Sequence, residues 1–139
     1  MRRSLRPLPL LLAAVIAGCG QAQSSAGDFE GAEKDVADTI EQLQTSAESR
    51  KPEDVCSDLL ARGLVEKLES SGSDCVDEME KLLGDADDFE LDVTKVTITG
   101  TTASATVKAR RGGRDGALTT FALEREDKTW RLTDFGSAS

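Results

Sequence analysis

Three rhythms of apolar and polar residues run along the chain, and each predicts a different element. Residues 8–17 are apolar throughout except for Pro9. That run is too short for a permanent membrane span, which needs about 20 apolar residues. From Asp28 the period becomes helical. Phe29, Ala32, Val36, Ile40, Leu43 and Ala47 recur at steps of three and four, with Glu33, Lys34, Asp38, Glu41 and Gln42 between them. Such spacing is one apolar stripe on a long amphipathic helix. Arg50 and Lys51 suit a helix C-terminus and Pro52 forbids continuation, which sets the first helix over about residues 28–49.

Pro52 also suits the first position of a second helix, with Glu53 and Asp54 favourable in its first turn. Val55, Cys56, Leu59 and Leu60 form its apolar side, and Gly63 weakens it. Leu64, Val65 and Leu68 begin a further short helix, followed by a loop at residues 70–73. Ser73 or Asp74 then caps a helix bearing Cys75, Val76, Met79, Leu82 and Leu83, which Gly84 ends.

Beyond residue 88 the period falls to two. Phe89, Leu91 and Val93 alternate with Glu90 and Asp92, but Val96 and Ile98 continue on the opposite parity. A strand keeps one face buried across such a switch only through a bulge, predicted here near Thr94 and Lys95. Gly100 marks a turn, and Ala103, Ala105, Val107 and Ala109 lie on the inner face of a second strand. Residues 111–116 (RGGRDG) are expected as a loop. Phe121 and Leu123 face inward on a third strand, residues 126–129 make a tight turn, and Trp130 and Leu132 lie on a fourth. Short connections require antiparallel neighbours. The expected architecture is α+β, with N-terminal helices packed on a bent four-stranded antiparallel sheet.

Composition changes the picture mainly at the N-terminus. Arg2, Arg3 and Arg6 before the apolar run make a secretory signal, residues 1–18. Val15-Ile16-Ala17-Gly18-Cys19 resembles the bacterial lipobox: aliphatic, small, small, cysteine. The resemblance implies cleavage after Gly18 and a diacylglycerol on the Cys19 thiol, whose thiolate is the nucleophile. An ordinary secretory signal cut near residues 17–22 is the alternative. Two acyl chains hold a protein at a membrane where one does so only marginally. Residues 19–27 then read as a lipidated tether, its polar part reaching about 28 Å at full extension. Residues 28–139 are left as the single domain that 139 residues allow.

Losing Arg2, Arg3 and Arg6 takes the formal charge from −9 to −12. A chain this acidic, without a basic stripe, is a poor partner for nucleic acid. Cys56 and Cys75 remain as an even pair, which in an exported protein reads as a disulfide. Free thiols or a metal pair are the alternatives, but two thiolates without histidine make a poor zinc site. Closing that loop is worth about 3 kcal/mol.

The long first helix, the linked short helices, the bent strand and the closing residues 125–135 (REDKTWRLTDF) together resemble the nuclear transport factor 2-like lipoproteins. The resemblance implies a conical pocket between first helix and sheet, with the tryptophan packed at its mouth. Relatives that are enzymes place tyrosine, histidine and aspartate there, whereas this chain has no Tyr and no His. Only carboxylates remain for acid–base work, Asp134 being one candidate and a solvated strand end its simpler reading. Residues 111–114 suit either an anion or a plain hairpin. The acidic run at residues 85–90 fails as a calcium loop, because its sixth and twelfth positions are Glu90 and Val96. Phe29, Val36, Ile40, Phe121, Leu123, Trp130 and Leu132 either line a ligand pocket or fill the core.

The expected function is that of a non-enzymatic lipoprotein, anchored on the outer face of a bacterial cell membrane. It would bind a small apolar ligand or an envelope protein, without cofactor or metal. The competing expectations are a pocket enzyme using a buried carboxylate and a structural accessory of the envelope.

Overall fold

A computed structural model describes residues 25–84 and 88–136. Cys19, the signal and Asp85, Ala86 and Asp87 of the acidic run lie outside the described residues. Helices come first and strands second, giving an α+β domain with a four-stranded antiparallel open sheet.

The first helix, α1, spans Gly31–Glu48 and buries Val36, Ala37, Ile40, Leu43 and Ala47. It starts later than the stripe suggested. Residues 31–35, Ala32 among them, are exposed, and Phe29 reaches the core from the segment before the helix. Ahead of it, Ser25–Asp28 form a 3-10 turn with Ala26 buried, where the sequence read as tether. The Ala26 N–H donates to Glu41 Oε1 at 2.9 Å, which holds that turn against α1.

The chain leaves α1 through Arg50 in the left-handed region (φ 51°) and re-enters helix at α2, Pro52–Asp54. α2 widens into a π turn over Val55–Leu59. Helix ends at Leu60 and Ala61, not at Gly63, which lies within α3, Arg62–Ser70. The reason is tertiary. Leu60 forms a parallel bridge to Leu132, and the Ala61 N–H donates to the Leu132 carbonyl at 2.8 Å. A sheet edge thus outcompetes one further helical turn.

The last helix, α4, spans Cys75–Leu83, and Asp74 Oδ1 accepts from the N–H groups of Val76 and Asp77 at 2.9 and 3.2 Å. This is the expected N-cap. Cys56 and Cys75 are joined as a disulfide with their Cα atoms 6.2 Å apart, linking the π turn to the first turn of α4.

The strands are β1 (Phe89–Thr99), β2 (Thr102–Arg111), β3 (Arg114–Glu126) and β4 (Thr129–Asp134), paired in sequence order. The register slips between Val93 and Lys95, so Thr94 is the bulged residue that keeps Val93 and Val96 both inward. Two further slips follow, one opposite Ala109 and one at Thr133. Each bulge bends its strand.

The loop expected at residues 111–116 is shorter than the sequence suggested. Both strands continue to a two-residue Gly112 and Gly113 turn with φ of 57° and 73°, a hairpin geometry that favours glycine. Gly116 belongs to the bulge instead, where a Cβ would collide with the Ala109 carbonyl.

Both outer strands are partly covered. On β1, Leu91 N–H donates to Gln44 Oε1 at 2.8 Å and Val93 N–H to Ser25 Oγ at 3.1 Å. Leu60 and Ala61 cover β4.

Candidate functional site

The helices and the inner sheet face do not close over each other equally at both ends. Around the β3–β4 turn, Ile40, Val55, Leu60, Leu123 and Leu132 are fully buried. Thr39 is the one buried polar side chain among the described residues, and its hydroxyl donates to the Asp35 carbonyl at 3.0 Å. At the opposite end β4 stops at Asp134, opposite Ala122, so residues 114–121 of β3 have no β4 neighbour.

A cleft of about 210 Å³ opens there. Its floor is Leu43 and Ala47, four residues apart on the inner side of α1, with Met79 from α4. Leu82 and Leu83 follow at helical spacing and form one wall, Leu82 standing 61 % exposed at the rim. Phe89 opens β1 on another side. Phe121 and Phe135 meet edge to face, their ring centroids 6.4 Å apart, and close the third. Arg111, at the end of β2, is the one ionisable residue among the described residues of this lining.

A larger polar groove of about 750 Å³ runs beside it, between α1 and β1. Three of its polar side chains already have structural duties. Glu41 accepts from Ala26, Gln44 accepts from Leu91, and Gln44 Nε2 donates to Glu48 Oε1 at 2.8 Å. No group of three or more carboxylates or cysteines suited to a metal ion occurs among the described residues.

Of the apolar residues singled out from sequence, Val36, Ile40, Leu123, Trp130 and Leu132 sit in the core and Phe29 packs partly buried against it. Phe121 alone of that set also borders the cleft. Leu43, Ala47, Met79, Leu82, Leu83, Phe89 and Phe135 were legible as apolar positions, but periodicity reports the inward face of an element and not which end stays uncovered. Asp134 is exposed, and its Oδ1 accepts from the Gly136 N–H at 2.8 Å.

The notable electrostatics lie on the outer sheet face. Arg110 contacts Glu90, Asp92 and Asp115 at 3.7, 3.8 and 3.2 Å. Lys108, hydrogen-bonded to Asp115, holds that carboxyl below its ordinary range, with help from Arg110. Glu124 and Glu126 share a hydrogen bond that pushes Glu124 up, and its desolvation adds to the shift. Burial would also raise Glu126, but the Arg62 N–H at 3.1 Å, the bond from Glu124 and the Arg62 guanidinium outweigh it and hold it down. Arg131, 3.7 Å from Glu126, spends its guanidinium on the Ser57 and Leu60 carbonyls as well. This cluster clamps the segment before α3 to the sheet.

Fold and site therefore define an α+β domain with an apolar cleft at the open end of its core, bordered by Arg111. No protein-family model matches the chain, and no curated protein matches it significantly. Among the described residues no helix is long and apolar enough to cross a membrane.

Proposed function

We propose that this chain is a non-enzymatic extracytoplasmic lipoprotein, anchored through Cys19, whose nuclear transport factor 2-like domain binds a small apolar ligand in the cleft beside α4. The observation that carries the reading is the cleft itself, whose rim keeps Leu82 61 % exposed above a floor of Leu43, Ala47 and Met79. Exposed leucine costs solvation that a bound apolar group would recover. Among the described residues the lining supplies apolar contact and one cation, and no carboxylate is buried to serve as general acid or base. The disulfide fits an oxidising compartment, as an exported domain requires.

Two measurements test it. Cys19→Ser should abolish incorporation of labelled fatty acid, and normal labelling of that variant would refute the anchor. For the cleft, the membrane-anchored protein is irradiated with a diazirine-bearing long-chain alcohol and the adducts are mapped. Adducts on α4 and Phe135 that fall away in Leu82→Asp support the site; adducts scattered evenly over the surface refute it.

A further inference from the structure

We infer that the Cys56–Cys75 disulfide is a redox latch on the cleft. An exported dithiol reductant that opens it frees α4, and with α4 the cleft loses its floor at Met79 and its wall at Leu82 and Leu83. This rests on the reading of the cleft as a ligand site and adds how its occupancy is controlled.

The bridge sits where α4 has few other anchors. Of the nine residues of α4 only Cys75 and Met79 are buried, and Cys75 is itself half of the bridge. Within the loop that the bridge closes, α3 packs Leu64, Val65 and Leu68 partly against the core and fully buries none of its residues. α4 lies mainly against α2, the π turn and α3, and not along the sheet. A helix of nine residues is marginal by itself, so its place is set by what ties it down. The other cleft residues are held differently: Leu43 and Ala47 belong to α1, which buries six side chains, and Phe121 belongs to a strand paired along its length with β2. Leu83 stands about 12 Å along the helix axis from Cys75, so release at the first turn of α4 reaches the cleft wall.

The two sulfurs are unequally guarded. Cys75 is 4 % exposed, whereas Cys56 is half-buried beside exposed Ser57 and Asp58. A thiolate of the reductant therefore attacks Cys56 Sγ. The S–S bond breaks, Cys75 leaves as a thiolate and takes a proton from water, and Cys56 is left in a mixed disulfide. The second thiolate of the reductant then attacks the reductant's own sulfur in that bond and releases Cys56. Two electrons pass to the protein, and the dithiol becomes a disulfide. Reoxidation closes the latch again.

The intact anchored protein is treated with dithiothreitol in native buffer and alkylated. It is then read by hydrogen exchange and by photolabelling with diazirine-bearing dodecanol. Cys56 and Cys75 should both become alkylated without denaturant. α4 should exchange about tenfold faster while β2 and β3 keep their protection, and adducts on α4 and Phe135 should fall about tenfold. The double variant Cys56→Ser, Cys75→Ser should behave like the reduced protein and show no response to dithiothreitol. A bridge that yields only in denaturant would overturn the latch, as would unchanged exchange and labelling once both thiols are alkylated. Loss of protection in β2 and β3 together with α4 would make the bridge a staple of the whole fold and overturn the latch equally. Faster exchange in α4 with no cleft adducts in either state would support the release of α4 and remove the ligand reading.

Discussion

The two ends of the same helix–sheet layer are built from similar apolar residues and come out differently. At the β3–β4 end, Leu60, Leu123 and Leu132 are buried because a second backbone reaches them: Leu60 and Ala61 lie along β4, and Arg131 ties the Ser57 and Leu60 carbonyls down. At the β2–β3 end, β4 is too short to flank residues 114–121, and α4 stops with Leu82 outside. Hydropathy is alike at both ends. What separates core from cleft is whether another element extends far enough to cover it.

The contrast predicts its own energetics. Leu132→Ala should cost about 2–5 kcal/mol, since it opens a cavity among residues that cannot collapse into it, whereas Leu82→Ala should stay within about 0.5 kcal/mol. Denaturant unfolding of both variants checks this, and similar losses would erase the distinction between the ends. Replacing Cys56 and Cys75 together by serine should cost about 3 kcal/mol, the loop-closure entropy of a separation of 19 residues. Because the bridge ties the closed end to the start of α4, hydrogen exchange in that variant should rise first in α4; uniform acceleration would mean the two ends unfold as one unit.

The smallest effect concerns the carboxylate pair at the closed end. Glu124 binds its proton more tightly in the folded than in the unfolded chain, so stability from this group is present at low pH and is lost as pH rises through its raised folded value. Glu124→Gln should therefore unfold at a slightly higher temperature than the parent at pH 7, with the advantage shrinking as pH falls. An advantage independent of pH between 3 and 7, on the order of the precision of thermal scans, would show that Glu124 carries no such charge penalty.

Much of this architecture was legible in the sequence because it leaves local marks. The switch of parity between Val93 and Val96 announced the Thr94 bulge, and Asp74 ahead of an apolar stripe announced the α4 cap. Legibility failed where tertiary contacts decided. Gly116 looks like loop punctuation but serves a bulge against Ala109. Gly63 looks like a helix break, yet the break falls at Leu60 because Leu132 lies beside it. The site was half legible. Its apolar residues carried helical and strand periods, but its opening follows from the length of β4, set by the bulge at Thr133 and by the chain's departure at Phe135.

Ser25 and Gln44 carry one more consequence. A sheet with two free rims is a template onto which a stranger's backbone can be added, and fibrils grow that way. Here one rim is met by two side-chain oxygens, its remainder is kinked and bears Lys95, and the other rim holds the protein's own Leu60 and Ala61. Crowded against copies of itself, this domain offers them one open stretch to zip onto, residues 114–121 of β3, which β4 does not flank.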